Sequence, residues 1–295
     1  MQIKDFYNKG KTVVSFEIFP PKMGAGTIES ITDKLEGFSQ LNPDYMSVTY
    51  GAGGTTTGIT CDIAGKVKNY FNIESLAHVT CLSSTKDVVI DTMDRLKSNG
   101  VNNILALRGD FPTGNQSMIP NPLHFEYAAD LISFIKKHYG DTFCIGAACY
   151  PEGHIESRSL TQDLLNLKTK VDTGVDYLVS QLFYDNEQYY RFLDSAAKAG
   201  IKVPISAGIM PVINAKQIHN IVTLCGATLP RKFIRILDKY EDNPAALMEA
   251  GIMYALDQII DLVTNDVEGI HLYTMNRPEV ATKIVDNISH ILKRG

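Results

Sequence analysis

The sequence has no apolar run approaching the ~20 residues that a helix needs to cross a bilayer, so a membrane-spanning helix is not expected. Its first apolar segment, VVSFEIF at 13–19, is short, contains Glu17 and runs into Pro20-Pro21, which does not read as a signal peptide. A cytoplasmic location follows as the expectation. Cysteine is sparse: Cys61, Cys81, Cys144, Cys149 and Cys225 are scattered, odd in number and form no CxxC pair, which argues against a disulfide framework or a cysteine zinc site. Basic residues are not in excess, with 28 Lys and Arg against 33 Asp and Glu and a net charge of −5, so the broad positive footprint of a nucleic-acid binder is missing. Any anionic ligand must then be held by a local cluster of positive groups. The glycine-rich GAGGTTTG at 51–58 is neither a GxxxxGK[ST] phosphate loop nor a GxGxxG opening a Rossmann helix. His78 and His154 have no HxxxE or HxH spacing, and no metal site is expected.

What the 295 residues do contain is a repeated alternation: a short β-branched or aromatic run, a turn rich in Gly, Pro, Asn or Thr, then a stretch with helical spacing. This is the pattern of a parallel sheet covered by helices. Eight strands are predicted near 12–19, 45–50, 75–81, 103–108, 144–149, 177–184, 203–209 and 269–274. Helices are predicted near 27–40, 58–70, 86–98, 123–138, 160–173, 187–199, 214–224, 244–264 and 278–293, several closing on a glycine (Gly100, Gly140, Gly174, Gly200) just before the next strand. With 44% hydrophobic residues, no low-complexity linker and no visible domain boundary, the chain fits one α/β domain, a (β/α)8 TIM barrel. A doubly wound open sheet is the alternative, because periodicity does not show closure.

A barrel of this kind carries chemistry at the C-terminal ends of its strands. Glu17, inside SFEIFPP, shares a strand face with Val13 and Ser15; if that face is the interior, desolvation raises the carboxyl pKa, as suits a general acid. A plain ion pair with a Lys or Arg of a neighbouring strand is the competing reading. LALRGD at 105–110 ends a strand with a cation, a glycine and an anion, and could grip a flat ligand or form only a salt-bridged turn. Gln181 interrupts YLVSQLFY, where a buried amide needs partners from a ligand or from backbone. Lys168, Lys170 and Arg277 could supply the local positive charge, or belong to solvated faces.

Taken in order, VSFEIFPP, SVTYGA, HVTC, LALRGD, AACYPEGH, DLLNLKTKVDTG, QLFYD, GIMPV and HLYTMNRPE resemble the methylenetetrahydrofolate reductases from about residue 12 to 290. The likeness is to the short bacterial type, which consists of the catalytic barrel alone; inhibition by S-adenosylmethionine is then not expected. The resemblance implies non-covalent FAD, NADH or NADPH as electron donor, and reduction of 5,10-methylenetetrahydrofolate to 5-methyltetrahydrofolate by ping-pong hydride transfer, which supplies methyl groups for methionine synthesis. It implies a homo-oligomer whose partners are small molecules, with neither nucleic acid nor membrane. Carried over by motif, Glu17 is the general acid that opens the folate ring, and Asp110 tunes the flavin and steadies developing positive charge. Gln181, Gln217, Tyr273 and Arg277 join Glu17 at the substrate. Thr49, His78, Leu107, Arg108, Gly109, Asp110, Tyr127, Ala128, Ala148, Tyr150, His154, Asp163 and Lys170 match the flavin positions.

The chain departs from the family pattern at Ile221, where some relatives carry a phenylalanine against substrate, and in the glycine-rich loop 51–58. Rival readings are another flavin barrel of the proline dehydrogenase kind, a pterin-binding methyltransferase barrel without flavin, and a carrier that binds without turnover.

Overall fold

The computed structural model describes residues 1–21, 29–50, 57–82, 84–109 and 125–292. Eight parallel strands follow one another around a closed barrel in sequence order: β1 (Val13–Ile18), β2 (Tyr45–Val48), β3 (Glu74–Thr80), β4 (Asn103–Leu107), β5 (Cys144–Cys149), β6 (Tyr177–Ser180), β7 (Ile205–Ile209) and β8 (Gly269–Leu272). Closure is made where β1 pairs with β8, Val13 through Phe16 lying opposite Gly269 through Leu272. This pairing removes the open-sheet alternative and confirms the (β/α)8 barrel.

Strand alternation sorts the side chains into two layers. Phe16, Ile18, Met46, Val48, Ile104 and Ala106 point outward and join the large core under the helices. Val13, Tyr45, Leu76, Leu105, Cys144 and Tyr177 point inward and form a separate cluster at the N-terminal end of the barrel. A 3-10 helix, Ile3–Lys9, closes that end from below with Ile3 and Phe6. The floor is tight: a Cβ on Gly146 would lie 2.7 Å from Cζ of Tyr177, so only glycine admits the ring there.

The surrounding helices are α1 (Glu29–Ser39), α2 (Thr57–Asn69), α3 (Lys86–Ser98), α4 (Ala128–Tyr139), α5 (Leu160–Asp172), α6 (Asn186–Lys198), α7 (Ala215–Cys225), α8 (Arg231–Tyr240), α9 (Pro244–Thr264) and α10 (Pro278–Leu292). The side chains of Thr85, Ser159, Asp185 and Asn243 cap α3, α5, α6 and α9 by accepting from otherwise unpaired N–H groups. The glycines expected to end helices, Gly100, Gly140, Gly174 and Gly200, have φ of +73, +55, +111 and +78.

The 3-10 helix Ile3–Lys9, α8 and β6 differ from the sequence reading. α8 was not expected, because its fully buried positions, Phe233 and Leu237, are few and stand among charged residues. β6 stops at Ser180 rather than 184, and Leu182, Phe183 and Tyr184 continue as buried irregular backbone. No helix of the described residues is long and apolar enough to cross a membrane. Burial pushes the thiols of Cys81, Cys144 and Cys149 up to about 12, so these side chains are inert packing groups at neutral pH.

Helix α9 approaches the loop after β7 closely at Gly251, where a Cβ would fall 1.7 Å from the carbonyl oxygen of Val212. Gly251→Ala is expected to cost about 1–3 kcal/mol, the usual penalty of overpacking. Urea melts of the two proteins measure it, and an unchanged midpoint would mean that α9 can withdraw from Val212 at no cost.

Candidate active site

Glu17 stands at the inner face of β1 near its C-terminal end and is 7% exposed. No Lys or Arg among the described residues pairs with it, against the plain ion-pair reading. Its Oε2 instead lies 3.8 Å from Nε2 of His78 on β3 and 3.7 Å from Nε2 of His271 on β8. Each imidazole is held by a serine of the neighbouring strand: Ser47 Oγ is 2.6 Å from His78 Nε2, and Ser15 Oγ is 2.8 Å from His271 Nδ1. Burial pulls His78 down to about 4, with Glu17 opposing and His271 reinforcing the shift. His78 is therefore neutral near pH 7 and does not neutralise the carboxylate.

Tyr273 lies edge-on to His271, with ring centroids 5.1 Å apart, and its hydroxyl donates to Ser180 O at 2.7 Å. That ring needs Gly208 beneath it, since a Cβ there would come within 2.8 Å of Tyr273 Cε2. Gln181 follows β6, half-buried; its Oε1 accepts from Leu182 N–H at 2.9 Å, which fixes the amide plane. Arg277 follows β8, its Nε donating to Glu279 at 2.7 Å. Thr49, at the end of β2, donates its N–H to Ile18 O at 2.9 Å and so sits beside the end of β1. Gln217 and Ile221 are on α7, the Ile221 side chain in the apolar cluster beneath it; the Gln217 side chain, Asp110 and loop positions 51–56 lie outside the described residues.

Beside this centre a cavity of about 540 Å³ opens between β4, α4, β5 and α5. Leu107 and Arg108 enter it from β4, Tyr127 and Ala128 from the start of α4, Ala148, Tyr150 and His154 from β5 and its loop, and Asp163 and Lys170 from α5. Gly109, with φ +84, turns the chain past Thr80 at the cavity edge, where a Cβ would meet Thr80 Cβ at 3.1 Å. Arg108 forms a two-pronged ion pair with Glu156 at 2.6 and 2.8 Å, so the RGD segment does begin with a salt bridge. Lys170 Nζ donates to Ala148 O at 2.6 Å, and its burial lowers its pKa while Cys149 and Asp163 oppose. Lys168 is different: it pairs with Asp172 on the outer face of α5 and belongs to solvent.

The family model for methylenetetrahydrofolate reductase matches residues 2–289. The chain belongs to the methylenetetrahydrofolate reductase family. It is 35% identical to the 5,10-methylenetetrahydrofolate reductase of Escherichia coli over 94% of this chain and 90% of that protein. With methylenetetrahydrofolate reductase (NADH) 1 of Arabidopsis thaliana it shares 34% identity over 98% of this chain and 50% of that protein. It thus spans about half the length of the plant relatives. Among solved structures, an uncharacterized protein from Clostridium thermocellum that binds two copies of 5-methyl-5,6,7,8-tetrahydrofolic acid has the same fold, with a TM-score of 0.68 at 17% identity, covering 99% of this chain and 100% of that one.

In this member of the reductase family the structure adds His271 to the residues around Glu17. Its signal was in the sequence, because alternation puts it on the same face of β8 as Tyr273, but a lone histidine at a strand centre reads more readily as core. His78, matched to the flavin set, faces Glu17 and is not part of the cavity wall.

His78 also makes stability depend on pH. Its pKa is about 4 in the folded chain against 6.5 for an ordinary histidine, so between these values the unfolded chain binds a proton that the folded chain refuses. This contribution is whole above pH 6.5 and is lost as pH falls towards 4, at up to about 1.4 kcal/mol per pH unit. Urea melts from pH 4 to 7 should show a shallower loss for His78→Gln than for the wild type. Parallel curves would show that His78 takes up its proton without resistance.

Proposed function

We propose that the protein reduces 5,10-methylenetetrahydrofolate to 5-methyltetrahydrofolate with electrons from NADH or NADPH, through non-covalently bound FAD, and so supplies methyl groups for methionine synthesis. The observation that carries this reading is the desolvated Glu17 carboxyl at the barrel mouth beside a large, mixed-polarity cavity, in a chain of this family. A homo-oligomeric state and a cytoplasmic location belong to the same reading.

The cavity suits FAD in size and chemistry. About 540 Å³ is within the range of cofactor pockets, and the alanines 106, 128 and 148 leave room for flat rings, while Arg108, His154 and Lys170 bring donors for an anionic tail. Leu107, Gly109, Tyr127, Tyr150 and Asp163 complete the wall and its edge, Thr49 and His78 would approach from the mouth side, and Asp110 joins the flavin set by its sequence match alone. FAD, when bound, relays a hydride from the nicotinamide to the folate.

Glu17 gives its proton to the folate so that the five-membered ring opens to an iminium cation. His78, kept neutral by its burial, brings no positive charge to Glu17. Asp110 steadies the positive charge that develops as the ring opens, a role carried by its sequence match. Gln181, with its oxygen held by Leu182 N–H, has the geometry to present its NH2 group to the pterin. Tyr273 and Arg277 bound the folate or nicotinamide side, and Gln217 joins them by its sequence match alone. Because both substrates need the same open face, they bind in turn.

Two experiments test this. Under anaerobic conditions the purified protein should show a flavin spectrum that NADH bleaches and methylenetetrahydrofolate restores; a bleached flavin that folate cannot reoxidise refutes the substrate, and a protein that takes up no FAD refutes the mechanism. Glu17→Gln should keep flavin and NADH oxidation but lose about 10²- to 10⁴-fold or more in folate reduction, the contribution of a positioned acid. Normal folate reduction by that variant would assign the proton to another group.

A further inference from the structure

The ladder between β1 and β8 ends at Phe16 opposite Leu272, yet β1 runs on to Ile18 and then to Phe19-Pro20-Pro21. Neither proline has an N–H, so Phe19 offers the last backbone donor on this strand end. A side chain takes it. Phe19 N–H donates to Asn276 Oδ1 at 2.8 Å, and Asn276 Nδ2 donates back to Phe19 O at 2.7 Å. Two residues earlier on the same loop, Thr274 Oγ1 donates to the carbonyl of Glu17 itself at 2.7 Å. The loop after β8 thus continues the seam with side chains where backbone pairing has stopped.

Reaching this position strains the loop. Met275 and Asn276 are consecutive left-handed residues, with φ of +52 and +57. Asparagine tolerates that region and methionine rarely enters it, so the pair persists only because the contacts around it over-determine the turn. Strain of this kind, one residue from Arg277 and bonded across to the end of the Glu17 strand, points to placement of the site.

We propose that Asn276 is a positioning residue: its amide clamps the end of β1 and thereby fixes where the Glu17 carboxyl points. This rests on the reading of Glu17 as the proton donor. An amide is required because one group must both accept from Phe19 N–H and donate to Phe19 O.

The test uses Asn276→Gly, which suits the left-handed backbone and removes only the amide, and Asn276→Asp, which keeps the acceptor and loses the donor. The two half-reactions are followed separately, and the Glu17 carboxyl is titrated by carbon-13 NMR, its signal assigned with Glu17→Gln. Asn276→Gly is expected to slow folate reduction about 10- to 100-fold at saturating folate, as small misplacements of a reacting group do. Flavin content and reduction by NADH should stay within about twofold of wild type, and the Glu17 titration midpoint should move. Asn276→Asp should fall between. A wild-type rate in the glycine variant, a rise in KM alone, or equal loss of both half-reactions would overturn the proposal. If the wild type reduces no folate, it is the catalytic reading that fails; the clamp is then judged by the NMR midpoint, and an unmoved midpoint in Asn276→Gly overturns it.

Discussion

The pairing of β1 with β8 is the constraint on which the rest of the molecule depends. Before the sheet closes, Glu17 is a carboxylate near the start of the chain, while His271, Tyr273 and Arg277 lie more than two hundred residues away. Four residues of parallel ladder bring them together, and Ser15 opposite His271 sets which imidazole edge Glu17 meets. Such contacts have high sequence separation, so the ordering of the site and the completion of the fold are one event.

The electrostatic logic of the centre follows from what closure buries. The Glu17 carboxyl group, at 7% exposure, faces two imidazoles anchored by serine hydroxyls. One of these is kept uncharged by its own burial. The polar groups of this layer partner one another through short hydroxyl contacts, which limits the cost of placing them in a barrel whose lower layer is tyrosine, leucine and valine. Lys170 shows the opposite treatment in the cavity: a buried cation tied to a strand carbonyl, where a ligand's negative charge would restore what burial removes.

The fold was largely legible because the βα units repeat the same alternation of an apolar run, a turn and a helical stretch, several of them closing on glycine, so errors in one unit do not spread. α8 escaped because ten residues with Phe233 and Leu237 as their buried positions give too short a period to count. The 3-10 helix at the start escaped because its hydrophobic residues, Ile3 and Phe6, have no strand or helix spacing and find partners only inside the closed barrel. At the site, Glu17 and Tyr273 were visible as polar interruptions at strand ends. His271 and Asn276 were harder to single out, since the first acts through a partner on β1 and the second through a backbone it reaches only by a left-handed turn. Pairwise geometry of this kind is not written in local pattern.

The helix at Ile3–Lys9 that seals the barrel floor has a consequence for traffic. With Ile3, Phe6, Tyr45 and Tyr177 filling one end, any molecule that reaches Glu17 must come and go through the opposite mouth. For the proposed reaction, a vessel with one doorway would receive its two substrates in succession, each clearing the threshold before the other enters.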